Sequence, residues 1–416
     1  MSRLDKLIEK LCPDGVEMHE LQELFITRNG YTPSKSKSEF WKNGTVPWFK
    51  MEDIRANGNI LSDALQYVNE CAVKGQLFPE NSIIVATSAT VGEHALITVP
   101  SLANQRFTYL MVKPEYEDMF MPKFLFYYCY KLDAYCLQNL NQSSFASVDM
   151  KKFAKFKFPV PPLEVQREIV HILDRFTLLT AELTAELTAR KKQYEFYRDK
   201  LLTFGNDTLE CRLKDICDIF LGLTATPNYT DAGVKFISAQ NTSNDFLDLS
   251  NVKYISETDF ENATSNAKPQ RGDLLFTRVG SNLGHPVIVK TDEKLCIFVS
   301  LGYLRVRNKK QVVIGYLKHW MNTDLFWSQV RKNVHGAAKV NLNTGWLKEF
   351  RISLPPLETQ ERIVHVLDNF EAICTDLNIG LPAEIEARQK QYEYYRDLLL
   401  TYAATGTIIT QTDRQN

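Results

Sequence analysis

The sequence predicts a mixed α/β protein: two similar globular domains separated by two long antiparallel coiled-coil helices, arranged as a pseudo-two-fold internal duplication. Three observations predict it. Two helix-forming stretches are nearly the same sequence written twice. Each carries a heptad pattern of apolar residues. The segments before them alternate short apolar strands with polar loops and correspond only loosely.

The repeat is explicit. Residues 161–176 read PPLEVQREIVHILDRF and residues 355–370 read PPLETQERIVHVLDNF, identical at eleven of sixteen positions. Residues 192–204 (KQYEFYRDKLLTF) match 390–402 (KQYEYYRDLLLTY) at ten of thirteen, which is beyond chance. The domain segments align more weakly: 46–70 with 234–257, 81–94 with 272–285, and 121–138 with 314–330. The expected order is a first domain over 1–160, a helical spacer over 161–204, a second domain over 205–354, a second spacer over 355–402 and a tail over 403–416. Two units are too few for a solenoid and imply a pseudo-two-fold object, which suits a two-fold ligand such as duplex DNA.

Each spacer opens on Pro-Pro, which ends an extended stretch and permits a helix start, with Glu164 and Glu168 near the positive end of the dipole. In the first, Ile169, Leu173, Phe176, Thr180, Leu183, Leu187, Arg190, Tyr194, Tyr197, Leu201 and Phe204 alternate steps of four and three. That is a coiled-coil seam over about five heptads, and a helix of that length needs a partner helix. In the second, Ile363, Leu367, Phe370, Cys374, Leu377, Leu381, Ile385, Arg388, Tyr392, Tyr395, Leu399 and Tyr402 repeat the pattern with a four-four step at Leu377 and Leu381. The repeat offset grows from 194 residues at Pro-Pro to 198 at Lys-Gln-Tyr, so the second copy holds four extra residues. Gly380 and Pro382 sit there, and Pro382 reads as the first residue of a restarted helix after a break.

Composition narrows the function classes. At 416 residues the chain is long enough for two or three domains, and its 44% hydrophobic and 24% charged content is that of an ordinary globular protein. No stretch resembles a signal peptide or a membrane span, so a cytoplasmic protein with no membrane partner is expected. The eight cysteines include no Cys-x-x-Cys pair, which argues against a structural zinc site and for reduced, packed thiols. A net charge of −1 argues against a stand-alone DNA binder, although basic faces remain open to it. Lysines cluster at Lys35, Lys37, Lys42 and Lys50 and at Lys151, Lys152, Lys155 and Lys157; a further basic group is Arg305, Arg307, Lys309 and Lys310. Any one cluster is ordinarily just a solvated surface.

Candidate reading residues come from the loops. The strands SIIVAT (82–87) and DLLFTR (273–278) run into small polar turns carrying Thr87, Ser88 and Thr90 in one copy and Thr277, Arg278, Ser281, Asn282 and His285 in the other. A plain tight turn is the ordinary alternative. Later loops offer Gln142, Ser143, Ser144 and Lys151, and Lys332, His335, Lys339, Asn341 and Asn343, with Gln105 and Arg106 as a further pair. Asn and Gln pair bidentately with adenine, and Arg or Lys with guanine, so this chemistry suits direct readout. Enzymatic signatures are missing: no phosphate-binding Gly-x4-Gly-Lys-Ser/Thr loop, no His-Glu-x-x-His and no Gly-x-Ser-x-Gly. Glu52-Asp53 near lysines is too little for a nuclease site.

The repeated PPLxxQxxIVxxLDxF opening, the KQYxxYRDxLLxF/Y ending and the domain order resemble the specificity subunit of type I restriction-modification systems. The TAELTAEL spacer (180–187) makes the chain most similar to the IC subgroup. The resemblance covers nearly the whole chain and is strongest in the helices. It implies a non-catalytic subunit in which each recognition domain reads one half of a bipartite site in double-stranded DNA and the helices set the gap. It also implies two modification subunits, which methylate adenine with S-adenosylmethionine, and two ATP-dependent restriction subunits; no cofactor is expected on this chain. The matching dock for the modification subunits would be the helices, through Gln166, Tyr194, Tyr197 and Arg198 and their counterparts Gln360, Tyr392, Tyr395 and Arg396. Leu173, Phe176, Leu183, Leu187, Leu367 and Phe370 form the ruler's seam. The rival readings are a coiled-coil scaffold or an orphan subunit without active DNA specificity.

Overall fold

The computed structural model describes residues 3–141, 146–205, 208–280, 282–333 and 341–406. The chain divides into two compact units: Met1–Ala181 with Ala387–Asn416, and Glu182–Glu386. The first unit therefore holds the first domain, the start of the first long helix and the end of the last one.

In the first unit a five-stranded sheet runs in the order Phe25–Asn29, Phe107–Val112, Ile83–Ala86, His94–Ile97, Ile60–Leu61. Its central strand, Ile83–Ala86, is buried along its whole length, as a short apolar run flanked by turns should be. A three-stranded sheet places Val46–Phe49 between Tyr67–Val68, antiparallel, and Leu102–Ala103, parallel. The helix Pro122–Gln138 covers one side, and Met18–Glu20 pairs with Lys157–Pro159, so the first and last strands of the domain meet. The apolar core beneath that helix also takes Leu4 and Ile8 from the N-terminal helix Arg3–Leu11, and Leu400 and Ala403 from the last helix.

The second unit repeats the plan with a different sequence. Its four-stranded sheet runs Cys217–Leu221, Leu301–Val306, Leu274–Thr277, Pro286–Ile288, and its three-stranded sheet places Val234–Ile237 between Lys253–Ile255 and Leu295–Ile297. Leu209–Arg212 closes on Arg351–Leu354 as Met18–Glu20 does on Lys157–Pro159. One turn is common to both copies for a steric reason. A Cβ on Gly30 would lie 2.3 Å from the Ala103 carbonyl oxygen, and one on Gly222 would lie 2.2 Å from that of Phe298. Only glycine lets the chain cross the end of the parallel strand there.

The spacers form three long helices: Leu163–Leu201, Leu357–Thr375 and Leu381–Thr405. The first is unbroken for 39 residues, about 58 Å at 1.5 Å per residue. Along it Phe176, Thr180, Leu183 and Leu187 are half-buried while their flanking residues are mostly exposed, which is the expected 3–4 period. The helix stops at Leu201, short of the expected 204, and Phe204 instead packs with the core of the second unit. In the second spacer a turn interrupts the helix over Asp376–Gly380, and Pro382 is the second residue after the restart. Leu377, expected in the seam, is 64% exposed in that turn. Gly380 donates its N–H to the Asp376 carbonyl at 3.0 Å, and a Cβ there would lie 2.6 Å from the Ala372 and Asp376 oxygens. The four extra residues are thus a turn, and the stutter becomes a break.

Each spacer is fastened to its own domain by one buried glutamine. The Gln166 side-chain oxygen accepts the Met121 N–H at 2.9 Å, and its amide donates to the Met119 and Pro161 carbonyls at 2.8 Å each. Gln360 does the same with the Val313 N–H at 3.0 Å and the Gln311 and Pro355 carbonyls at 2.9 Å. Both are fully buried, so neither is available to a partner subunit, contrary to the expectation for these two residues. The sequence marks them as special; burial decides that they hold the helix start.

Gln166→Ala and Gln360→Ala each leave one buried N–H and two carbonyls without this partner, a cost of about 2–4 kcal/mol on the usual scale for unmade buried hydrogen bonds. Urea unfolding should report that loss, with faster amide exchange at Met121 or Val313 respectively. An unchanged midpoint in both variants would show that water replaces the amide.

Candidate nucleic-acid interface

In each unit the loop leaving the central strand meets the later loop through backbone hydrogen bonds. In the first, Val148 N–H donates to the Thr87 carbonyl at 2.9 Å, Ala89 N–H donates to Ala146 at 2.8 Å, and Ser88 bridges to Ser147. Thr87 N–H donates to the Arg106 carbonyl at 3.0 Å. In the second, Leu342 N–H donates to the Arg278 carbonyl at 3.1 Å, Val279 bridges to Asn341, and Arg278 N–H donates to Ser300 at 2.8 Å. Two segments more than fifty residues apart in sequence thus form one surface, twice, at equivalent positions.

The structure sorts the candidate residues on that surface. Thr87 is buried, its hydroxyl 2.8 Å from that of Thr108, which in turn donates to Asn29. Thr277 is buried with its hydroxyl 3.3 Å from Thr242. These two threonines hold the loop base and do not face a ligand, a correction that follows from Thr277 ending its strand, Thr87 directly following its own, and each meeting another threonine hydroxyl inside. Arg278 braces the joined loops, donating from Nε to the Leu342 carbonyl at 3.2 Å and from a terminal nitrogen to Val299 at 3.3 Å. Asn282 reaches the Thr242 and Ser243 carbonyls at 3.4 Å, and His285 Nε2 lies 2.9 Å from the Asn244 carbonyl. Asn343 caps the helix Thr344–Glu349 by accepting the Gly345 N–H at 2.7 Å. Its oxygen is therefore already engaged.

Ser88 and Thr90 are half-buried in the first loop, and Gln105 takes the hydroxyl of Thr32. Lys35, Lys37, Lys42, Arg106, Lys151, Lys332 and Asn341 are exposed. Gln142, Ser143, Ser144, Ser281, His335 and Lys339 lie outside the described residues. The basic group at Arg305 and Arg307 is not a loose patch. Arg305 grips Asp273 at 2.7 and 2.9 Å, and Arg307 grips Asp218 at 2.8 and 2.9 Å.

One further feature takes shape only when the aromatic residues are placed beside the lysines. Between the loop after Gly30 and the three-stranded sheet lies a cleft of about 460 Å³ walled by Trp41, Trp48, Lys35, Lys42, Lys50 and Gln66. At the equivalent place in the second unit a cleft of about 490 Å³ holds Tyr229, Phe236 and Lys253. In the sequence the signal of the first cleft is KSEFWKNGTVPWFK, aromatics interleaved with the lysines.

The helix tyrosines also find partners within their own unit. Tyr194 OH lies 3.1 Å from His319 Nδ1, and His319 Nε2 lies 2.8 Å from Asp368. Burial raises the Tyr194 phenol well above its usual range, with Glu371 adding to the effect. Burial also pushes the Asp368 carboxyl up, but the His319 hydrogen bond and charge, with Lys318, leave it below its usual value. His319, Asp368 and Glu371 gather ligand atoms within 4.8 Å, yet Lys318 sits on Glu371 and Tyr194 on His319, so the cluster is an ion-pair and hydrogen-bond network. In the first unit Tyr127 takes the place of His319 and donates to Asp174 at 2.7 Å. Tyr392 is buried beside it, and Arg396 stacks over Tyr130 at 4.2 Å. Leu173 and Leu367 are fully buried in the unit cores. Of the residues expected to dock a partner, Tyr197 and Tyr395 keep substantial exposed surface, at 37% and 38%, while Arg198 and Arg396 are half-buried beside Asp199 and Asp397.

Thr87→Val and Arg106→Ala should separate support from contact. The first removes a buried hydroxyl pair and lowers stability by about 1 kcal/mol with little effect on DNA affinity at fixed salt. The second leaves the melting temperature unchanged and lowers the slope of log K against log salt by about one. The opposite pattern would reassign both residues.

Comparison with known proteins agrees with this architecture. A family model described as "Type I restriction modification DNA specificity domain" matches the chain twice, over residues 13–190 and 206–387. The specificity subunit of the type I restriction enzyme EcoprrI from Escherichia coli is 41% identical over 396 residues, covering 91% of this chain and 93% of that one. The EcoR124I/EcoR124II specificity subunit, also from Escherichia coli, is 32% identical over 290 residues, covering 65% and 70%. A solved chain from a study of assembly and conformational transition in a type I restriction-modification system shares the fold with a TM-score of 0.63 at 18% identity, over 94% of this chain and 98% of that one. The chain belongs to the type I restriction-modification DNA specificity family.

Proposed function

We propose that this chain is the DNA-sequence-specificity subunit of a type I restriction-modification complex, with each unit reading one half of a bipartite duplex site. The observation that carries the reading is the duplicated surface: each unit joins its strand-exit loop to its later loop, and the side chains there differ between copies. Two like frames with unlike contact residues suit two different half-sites. Lys35, Lys37, Lys42, Arg106 and Lys151 supply phosphate contacts in the first unit, and Lys332 with Asn341 in the second. The chain itself performs no catalytic step in this reading. Two modification subunits bring S-adenosylmethionine and transfer the methyl group to adenine, and two restriction subunits bring ATP and cleave.

The spacers act as an antiparallel pair in this reading. Phe176 stacks on Tyr395 at 5.6 Å in the first unit, and Tyr197 on Phe370 at 6.0 Å in the second. Phe176 and Phe370 are equivalent in the repeat, as are Tyr197 and Tyr395. The contacts are thus one interaction made twice, once within each unit, with the copies exchanged. The exposed parts of Tyr197 and Tyr395 offer the modification subunits a matched pair of contacts.

Two measurements test this. The adenine methylome of the host should lose a single bipartite motif with a fixed gap when the gene is deleted; an unchanged methylome overturns the reading. Inserting one Thr-Ala-Glu-Leu unit at 180–187 advances the helix by about 6 Å and turns it by about 40°, against about 3.4 Å per base pair. The gap should lengthen while both half-sites stay the same. Altered half-site bases would sink the ruler.

A further inference from the structure

We infer that the aromatic cleft of each unit binds a single nucleotide, its base against the paired rings and its phosphate at the lysines. In the first unit Trp41 and Trp48 meet edge to face, with ring centroids 5.1 Å apart. Their indole N–H groups are already committed, to the Ser34 carbonyl at 3.0 Å and the Tyr31 carbonyl at 2.9 Å. The rings are therefore pinned by their polar edges and offer the cleft an apolar corner. Lys50 Nζ stands 5.6 Å from the Trp48 centroid and donates to Gln66 at 3.2 Å, and Lys35 and Lys42 stand at the rim. Among the described residues no carboxylate lines the cleft. An apolar corner of aromatic rings beside lysines suits a planar anion, and a nucleotide has that shape and charge.

The second unit carries the independent observation. Its cleft again sets aromatic rings beside a lysine, with different residues and the lysine on another strand. Phe236 stands where Trp48 does, one position before the end of the central strand, and packs on Tyr229 with centroids 5.8 Å apart. The lysine changes walls. Trp48 N–H donates to the Gln66 carbonyl while Lys50 supplies the charge; Phe236 lies opposite Lys253 and Ser238 replaces Lys50. Lys253 Nζ sits 4.1 Å over the Tyr229 ring. Among the described residues no carboxylate lines this cleft either. Ordinary core packing does not require the charge to be retained across a wall swap; a binding site for one ligand class does.

The first cleft adjoins the proposed reading surface, since Thr32 at the head of its loop bonds Gln105 next to Arg106. The inference therefore rests on the DNA-recognition reading for its biological sense, and the ligand has two sources: a base unstacked from bound DNA, or a free nucleotide in solution. Base–aromatic stacking is sequence-tolerant and is lost when the ring is removed, whereas the phosphate–lysine contacts weaken as salt rises.

The test uses the full chain and its intrinsic tryptophan fluorescence, titrated with single-stranded octathymidylate and separately with adenosine monophosphate at fixed low salt. The oligonucleotide should quench saturably, with affinity falling roughly tenfold in Trp41→Leu, recovering in Trp41→Phe, and falling several-fold in Lys42→Gln. Lys42 is exposed, so Lys42→Gln keeps the test decisive if Trp41→Leu fails to fold. Equal affinity for the monophosphate assigns the cleft to free nucleotides; preference for the oligonucleotide assigns it to DNA. Absence of saturable quenching by either ligand, or wild-type affinity in both Trp41→Leu and Lys42→Gln, overturns the proposal. The methylome test is separate: a lost bipartite motif with silent titrations retains the recognition reading and removes the cleft.

Discussion

The fully buried glutamine at the head of each spacer is the interaction on which the rest depends. Where each spacer meets its domain, one domain N–H and two carbonyls, one of them from the Pro-Pro pair, turn toward the same buried point. One primary amide answers all three, because it offers an acceptor and two donors on one rigid plane without a charge. Gln166 and Gln360 use all of that capacity, with three hydrogen bonds each between 2.8 and 3.0 Å. The direction of each spacer relative to its own domain follows. So does the tolerance of the domains to change, since the latch binds main-chain atoms and not side chains.

The second organising fact is the exchange of helix ends between copies. The first unit is completed by the last turns of the second spacer, through Leu400 and Ala403 in its core. The second unit is completed by the end of the first spacer, through Leu202. Tyr194 and Tyr392 are equivalent in the repeat, and each packs against the domain helix of the other copy, on His319 and beside Tyr130. The near-identity of the spacer sequences has a physical cause here. A helix that must fit both its own domain at the head and the other domain at the tail accepts few substitutions, whereas each domain needs only to keep its frame.

That division explains which parts were legible. Heptads, Pro-Pro starts and the Gly380–Pro382 break are local, and periodicity and backbone restriction reveal them directly. The exposed position of Leu377 is not legible, because spacing alone cannot separate a stutter from a turn; the carbonyls crowded around Gly380 make that choice. Thr87 and Thr277 look like surface hydroxyls by type. A facing threonine hydroxyl holds each of them inward. The first cleft is drawn largely from one window, 35–50, but the second takes its walls from segments up to 71 residues apart, Tyr229 to Ser300, so no short window contains that pattern.

By itself the sequence determined the duplication, the order of domain and spacer, the helices and their seam, and the loops that carry polar chemistry. These follow from local period and from self-similarity, which need no folded chain. Only the tertiary structure decided which of those polar groups face outward, which glutamines are latches, and which helix end completes which core. The reason is that burial and hydrogen-bond partnership are properties of surfaces brought together from distant segments. A threonine or glutamine has the same formula in either setting.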